Sequence, residues 1–427
     1  MYPAPGKGHK DAVQQRIVEK AIAGSWEETR LVKRRIVRPI PYYMGTHCAH
    51  LSSKAFSTRY SAFLMPESPK NDVRLANIID WLSQLDHPKT LTQTLRPASA
   101  DASFRRYFRV DTDQGDTLIV MDAPPPQEDV RPFLHVASVF GQTGVTVSKV
   151  LASDIERGFL LLSDLGSTTY LKQLSADTAH KLYMDAIDAL ILLQTQSRPG
   201  QLPDYDRALL HRELMLFPEW YVSKHLKATM TDAQTEALTE VFDSLLANNL
   251  SQPPVYVHRD YHSRNLMVMD KGNPGILDFQ DAVYGPITYD LVSLLRDAYI
   301  QWHEEMVLDW TIRYWERARR AGLPVNPDVD MFYRDFEFMG LQRHLKVLGI
   351  FARLYHRDGK DAYLADIPLV MDYARKTAYR YKECAPSRSI ANSGMPAQCT
   401  LSPCRERRSW RPSAGGSQPT DVMAVSK

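Results

Sequence analysis

The spacing of apolar residues along the chain switches repeatedly between a helical period and a strand period. From residue 72 to 86 (DVRLANIIDWLSQLD) apolar side chains return every three or four positions. That places Leu75, Ile78, Ile79, Leu82 and Leu85 largely on one face of a predicted helix. FRRYFRVDT and DTLIVMDA then read as two strands around an Asp-Gln-Gly turn at 113–115, the alternation and turn chemistry of a hairpin. EDVRPFLHVASVFGQTG predicts a helix closing at Gly141 or Gly144, and GVTVSKVLASD and GFLLLSDLG predict two more strands joined near Glu156–Gly158. Beyond residue 168 the period is helical, over 175–197, 205–227, 231–248, 288–320, 328–357 and 361–382. A β insertion at 254–284 interrupts it. A small sheet segment followed by a large helical one predicts an α+β fold of two lobes, with a cleft between them as the natural ligand site.

The ends of the chain differ from this core. Residues 1–70 carry a basic cluster (Lys33, Arg34, Arg35, Arg38) and one predicted helix at 11–35, and read as a weakly packed extension. Residues 385–427 are rich in Ser, Pro, Arg and Gly. That composition buries too little apolar surface to offset chain entropy, so this tail is expected to be disordered. The expected domains are therefore the 1–70 extension, a lobe at 71–167, a lobe at 168–384 and the 385–427 tail. A net charge of +2, with 44% apolar and 24% charged residues, gives no sign of a surface built to grip nucleic acid or an anionic membrane. No apolar run approaches the ~18 residues of a spanning helix, and none of the four cysteines lies between residues 49 and 383. Both point to a reducing, cytoplasmic setting; a monomer is favoured.

One short turn concentrates the candidate chemistry. 258-HRDYHSRN-265 lies between the apolar runs PPVYV and LMVM, and fits H-R-D-x-x-x-x-N, the catalytic loop of phosphotransferases of the protein-kinase type. A hairpin turning through Lys271–Gly275 leads on to 276-ILDFQD-281, which brings Asn265 and Asp278 together. Phosphoryl transfer asks a protein for positioning and charge neutralisation. Asp260 has the chemistry of a base for an acceptor hydroxyl. Asn265 and Asp278 are hard oxygen ligands suited to Mg²⁺, and His258 reads as the residue that holds the loop backbone.

SADASFRRYFRV, LIVMDAPPPQEDVRPF, GFLLLSDLG, HRDYHSRNLM, GILDFQDAVYGPITYDLVSLLRDAY and LQRHLKVLGIFARL together resemble the aminoglycoside-phosphotransferase and choline-kinase-like family, over most of 90–383. MDAPPP and LLRDAY point to its bacterial anomeric sugar kinases, which act on N-acetylmuramate and N-acetylglucosamine in cell-wall recycling. The resemblance implies a two-lobed protein-kinase-like fold, ATP and Mg²⁺ as cofactors, Asp260 as catalytic base and Asn265 and Asp278 as metal ligands. It implies that Ser99–Phe104 (with Ser99, Ala102, Ser103 and Phe104) cover the phosphates, and that Ser163, Asp164 and Leu165 form the hinge that meets adenine.

One departure stands out. In this family a lysine or arginine on the third strand touches the α- and β-phosphates, but the matching position is Met121, and no lysine occurs from 90 to 148. The preceding strand carries 105-RRYFR-109. Alternation puts Arg105 and Arg109 on one face and Arg106 on the other, beside Phe104 and Phe108. Arg106 is the expected phosphate ligand, with Glu128 as its possible partner. The helical lobe offers Glu213, Trp220, Arg296 and Arg343 as candidate acceptor-binding residues, and Asp290 as a helix cap. The expected reaction is transfer of the γ-phosphoryl group of ATP to an amino-sugar hydroxyl. A kinase of the same fold acting on an aminoglycoside, choline or homoserine-like alcohol, or a nucleotide-binding pseudokinase, remains open at this stage.

Overall fold

The structure, a computed structural model, describes residues 72–100 and 104–384, with only the backbone at Ser99 and Ala100. The expectations for 1–70 and 385–427 lie outside the described residues. Helix α1 (Val73–Ser83) opens behind Asp72, whose carboxylate accepts from the Leu75 N–H at 3.0 Å, a side-chain N-cap. Its inward face carries Ile78, Trp81 and Leu82. Ile79, expected to face inward, is 38% exposed, because the buried face centres on Ile78 and Leu82 with Trp81 on its other flank, which leaves Ile79 at the edge.

A five-stranded antiparallel sheet follows, in the order β1 (Thr90–Ala100), β2 (Arg106–Thr112), β3 (Thr117–Asp122), β6 (Phe159–Ser163), β5 (Val150–Asp154). The hydrophobic pattern does not announce β1. It is a mostly polar edge strand, with Leu95 packed inward, and it contains Pro97, which an edge tolerates. Residues with the parity of Phe108, Val110, Leu118, Val120, Phe159 and Leu161 pack with α1 into a small core of their own. The opposite parity (Met121, Leu160, Leu162) joins the main core with α2 (Arg131–Gly141). A two-residue strand, β4 (Thr146–Val147), leaves this lobe and runs parallel to β9 (Gly275–Ile276).

The helical lobe is built from α3 (Tyr170–Gln173), α4 (Ala176–Thr195), α5 (Arg207–Leu216), a π-helical continuation (Phe217–His225) and α6 (Asp232–Ser251). After them come β7 (Pro254–Val257), β8 (Leu266–Met267), β9 and β10 (Val283–Pro286). The lobe ends with α7 (Tyr289–Leu295), α8 (Glu304–Arg320), α9 (Val329–Asp358), a 3-10 turn (Asp361–Asp366) and α10 (Ile367–Arg380). The single helix expected at 288–320 is two helices, because Asp297 turns inward to bond the Ser263 and Tyr299 N–H groups.

Helix α9 is the axis of this lobe, buried along most of its 30 residues. It approaches the α5–π junction so closely that a Cβ at Gly349 would lie 2.4 Å from the Leu216 carbonyl carbon and oxygen. Gly349→Ala is therefore expected to destabilise the protein by ~1–3 kcal/mol through overpacking, measurable as a lowered urea midpoint with an unchanged m-value.

Candidate active site

Antiparallel strands β7 and β10 pair Val257 with Val283, and the chain leaves β7 in a strained turn, with Arg259 at φ 77°. A buried carboxylate holds that turn. Asp290, in the first turn of α7, accepts from the His258 N–H at 2.6 Å and the Arg259 N–H at 3.0 Å. Asp290 was expected as a helix cap, but Thr288 occupies the cap position and Asp290 faces the loop. Burial pushes its carboxyl up to about 7, against the pull of the two N–H groups.

The His258 ring is fixed by two contacts. Its Nδ1 accepts from the Asp260 N–H at 3.2 Å, so Nε2 carries the proton and donates to the Leu277 carbonyl at 2.9 Å. Burial lowers the ring to about 4, so His258 is neutral near pH 7 and acts as a brace between the loop and the hairpin. It belongs to the site without touching the reacting atoms.

Asp260 is half-buried, and its carbonyl accepts from the His262 N–H and from Asn265 Nδ2, both at 3.0 Å. Burial favours the neutral acid, but Lys346, His262, Arg343 and His258 outweigh it and hold the carboxyl near about 2. Burial lowers both histidines, so the charges that persist at neutral pH are Lys346 and Arg343, side by side on α9.

The hairpin forms as expected, with Leu266 opposite Ile276 and Met267 opposite Gly275. It brings Asn265 Nδ2 to 3.4 Å from Asp278 Oδ2. With Nδ2 committed to Asp260 and Asp278, the Asn265 Oδ1 is the atom suited to a cation. Asp278 sits at φ 61°, bonded by Gln280 Nε2 at 2.8 Å. The neighbouring Phe279 packs on Phe133 of α2, with ring centroids 4.8 Å apart. Among the described residues no three His, Cys, Asp or Glu side chains converge on one point. Two oxygen donors on a turn fit a Mg²⁺ ion whose remaining ligands are phosphate oxygens and water.

The other expected site residues divide. Ala102, Ser103 and the side chain of Ser99 lie outside the described residues. Phe104 is 68% exposed, and its N–H donates to Glu128 Oε1 at 3.1 Å. Ser163 and Asp164 are bonded within the sheet lobe: Ser163 Oγ accepts from Lys149 N at 2.8 Å, and Asp164 accepts from Arg109 at 3.0 Å and Thr117 Oγ1 at 2.7 Å. Leu165 is buried against the Gly275 position. Any adenine contact in this segment therefore falls to backbone groups.

Arg106 is not in the cleft. It lies opposite Asp122 in the β2–β3 register, on the face covered by α1, where Asp122 and Asp72 bind it and Arg74 shares Asp122. Residues of odd number along β2 face the cleft instead. Arg105 is placed there, 3.8 Å from Glu128 and 3.9 Å from Asp278. Glu128 precedes α2, which starts at Arg131, and so does not open that helix as expected.

Of the four acceptor candidates, two are occupied internally. Glu213 accepts from Arg259, Tyr205 and, at 2.9 Å, Lys346; burial raises its carboxyl, and those cations overcome it to hold the group ionised. Arg296 is 1% exposed between Glu337 at 2.7 Å and Glu304 at 2.8 Å. Trp220 packs against the core from the π-helix. Arg343, 3% exposed, has a buried Nη1 with no hydrogen-bond partner and acts electrostatically on Asp260, His262 and Tyr299. Sequence reasoning missed Lys346 as a functional residue and undervalued Asp290. A signal for Asp290 was present: it is the one carboxylate within the apolar run ITYDLVSLL.

His258 takes up its proton near its ordinary 6.5 in the unfolded chain but only near about 4 when folded. The stability it contributes is complete above 6.5 and is lost as pH falls towards 4. Chemical denaturation should show a loss of up to ~3 kcal/mol from this residue across that window. His262, also lowered by burial, adds in the same direction. His258→Asn is expected to flatten the dependence; an unchanged slope would exclude His258 as its source.

Residues 94–323 match the phosphotransferase enzyme family. The chain is 52% identical to the N-acetylmuramate/N-acetylglucosamine kinase of Neisseria meningitidis serogroup B, over 73% of this chain and 93% of that one. It is 47% identical to the protein of the same name from Pseudomonas putida, over 74% and 95%. Among solved structures, the amicoumacin kinase hAmiN superposes with a TM-score of 0.53 at 15% identity, covering 71% of this chain and 93% of that one. A choline/ethanolamine kinase family protein from Mesorhizobium loti superposes with a TM-score of 0.50 at 15% identity, covering 75% and 100%; both likenesses concern the fold. The lobes, the catalytic loop and these matches agree: the chain belongs to the phosphotransferase enzyme family.

Proposed function

We propose that the protein is an ATP-dependent sugar kinase that moves the γ-phosphoryl group of ATP to the anomeric hydroxyl of N-acetylmuramate or N-acetylglucosamine. The observation that carries this reading is one turn and one hairpin presenting Asp260, Asn265 and Asp278 together, beside the cationic α9 wall of Arg343 and Lys346. The relatives named for that activity match over most of their length. The fold neighbour hAmiN was solved with AMP-PNP and Ca²⁺, which is consistent with a nucleotide and a divalent ion in this cleft. Both sugars derive from peptidoglycan, so the reading places the enzyme in cytoplasmic salvage of cell-wall sugars.

The chemistry follows from the site. Asn265 and Asp278 would hold Mg²⁺, which neutralises charge on the nucleotide phosphates when bound. Asp260 orients the acceptor hydroxyl through a hydrogen bond. The sugar oxygen forms its bond to the γ-phosphorus as the bond to the bridging ADP oxygen breaks, and the hydroxyl proton passes to Asp260. A carboxylate held near about 2 is a weak base. That suits a loose transition state, in which the proton moves late and the carboxylate mainly orients.

Arg343 and Lys346 also bear on the acceptor. A polycationic aminoglycoside calls for carboxylates, whereas a buried guanidinium with an uncommitted Nη1 suits the lactyl carboxylate of N-acetylmuramate. N-acetylglucosamine lacks that carboxylate.

Two outcomes are expected in assays of ADP release with Mg²⁺ and a panel of sugars and amino-alcohols. Asp260→Asn should lower kcat ~10²–10⁴-fold with ATP affinity retained; near-normal turnover would remove Asp260 from the mechanism. Arg343→Gln should raise KM for N-acetylmuramate ~10-fold or more while leaving N-acetylglucosamine within about 2-fold. An equal change for both sugars would assign Arg343 to the scaffold.

A further inference from the structure

A kinase cleft needs a fixed cation on the non-transferred phosphates, and strand β3 does not provide one. Met121, where the strand faces the cleft side, is 1% exposed and packed with Val130 and Phe133 in the main core. Three arginines on β2 are the nearest alternatives, and the structure separates them. Arg106 is on the far face of the sheet, bound to Asp72 and Asp122. Arg109 faces the cleft side but is committed to Asp164 and the Gly166 carbonyl, at 3.0 Å and 2.9 Å. Arg105 is on the cleft side at the end of β2 nearest the catalytic hairpin.

The surroundings of Arg105 place a guanidinium beside the hairpin that carries Asp278. The Arg105 side chain is 12% exposed. One carboxylate, Glu128, stands 3.8 Å away and is itself anchored by the Phe104 N–H on its other oxygen. The second, Asp278, stands 3.9 Å away and is one of the two expected metal ligands. These two ion pairs place the guanidinium between the start of the next helix and the hairpin that carries Asp278. Register explains the reach: Tyr107 lies opposite Met121 and Arg106 opposite Asp122. Arg105 therefore lies one strand over from the lysine position and projects to the same side.

We propose that Arg105 grips the α- and β-phosphates of the nucleotide, with Glu128 as the carboxylate that positions it, so that the charge usually carried by the third strand has moved to the second. The proposal rests on the reading of this cleft as a nucleotide site. Before the nucleotide binds, Arg105 neutralises Asp278. With a metal–nucleotide complex bound, Asp278 would face the cation and Arg105 the phosphate oxygens.

The test is calorimetric binding of ADP with Mg²⁺, and of adenosine, to the full-length wild type, Arg105→Met, Arg105→Lys and Arg106→Met. Arg105→Met should weaken ADP ~10-fold or more, the scale of a lost charge-assisted contact, and leave adenosine within about 2-fold. Arg105→Lys should fall between. Arg106→Met should keep its ADP affinity and lose thermal stability. Wild-type ADP affinity in Arg105→Met overturns the proposal, as does a loss of ADP affinity in Arg106→Met alone. If the wild type itself binds no nucleotide, the nucleotide reading fails and not merely the assignment of Arg105. Should Arg105→Met not fold, Arg105→Lys and Glu128→Gln decide: each is expected to weaken ADP about 3-fold or more with adenosine unchanged, and wild-type affinity in both refutes the idea.

Discussion

Two hydrogen bonds to one buried carboxylate set the geometry of this protein's chemistry. A non-glycine residue at φ 77° costs about 1–3 kcal/mol unless something holds it there. Asp290 does so by accepting the N–H groups of His258 and Arg259 together. Once that turn is closed, His258 must point into the protein, where its neutral ring ties the loop to Leu277. Asp260 is then turned towards the cleft and Asn265 towards Asp278. The turn is polar because most of its polar groups fasten one another and the elements beside them.

A second set of contacts couples that turn to the helical lobe. Glu213, from α5, binds Arg259 of the catalytic loop and Lys346 of α9 at once. Lys346 and Arg343 in turn supply the positive potential that keeps Asp260 ionised despite its burial. Such a buried ionic network adds little net stability, since desolvation offsets much of the attraction. Its effect is on position: three elements distant in sequence are held in one arrangement around the carboxylate.

Much of this was legible in the sequence, and the failures have physical causes. Helices with a clear apolar period, such as Ala176–Thr195 and Val329–Asp358, agree with the 175–197 and 328–357 segments read from spacing. The loop-and-hairpin unit was legible because it is local: Asp260, Asn265 and Asp278 lie within one short turn and its hairpin. Strand β1 was not, because Leu91 and Leu95 stand among polar residues, too sparse an apolar alternation to detect. The arginine assignment went astray for a subtler reason. Parity correctly put Arg106 on the opposite face from Arg105, but parity cannot say which face is roofed by a helix. The roof is α1 with its cap, reached through contacts that span 48 residues (Arg74–Asp122) and 34 residues (Asp72–Arg106) of chain. Glu213 and Arg296 looked like substrate contacts for a similar reason: a charged residue in a helix reads the same whether it faces a ligand or a buried counter-ion.

The parallel pairing of Thr146–Val147 with Gly275–Ile276 has a mechanical consequence. It stitches the sheet lobe to the hairpin that carries Asp278, and Phe279 adds a ring contact to α2 beside it. Along this seam the lobes are one piece, so any widening of the cleft is a swing about the seam and cannot be a parting of two halves. The Asn265–Asp278 end of the cleft lies beside that seam, where displacement in such a swing is least.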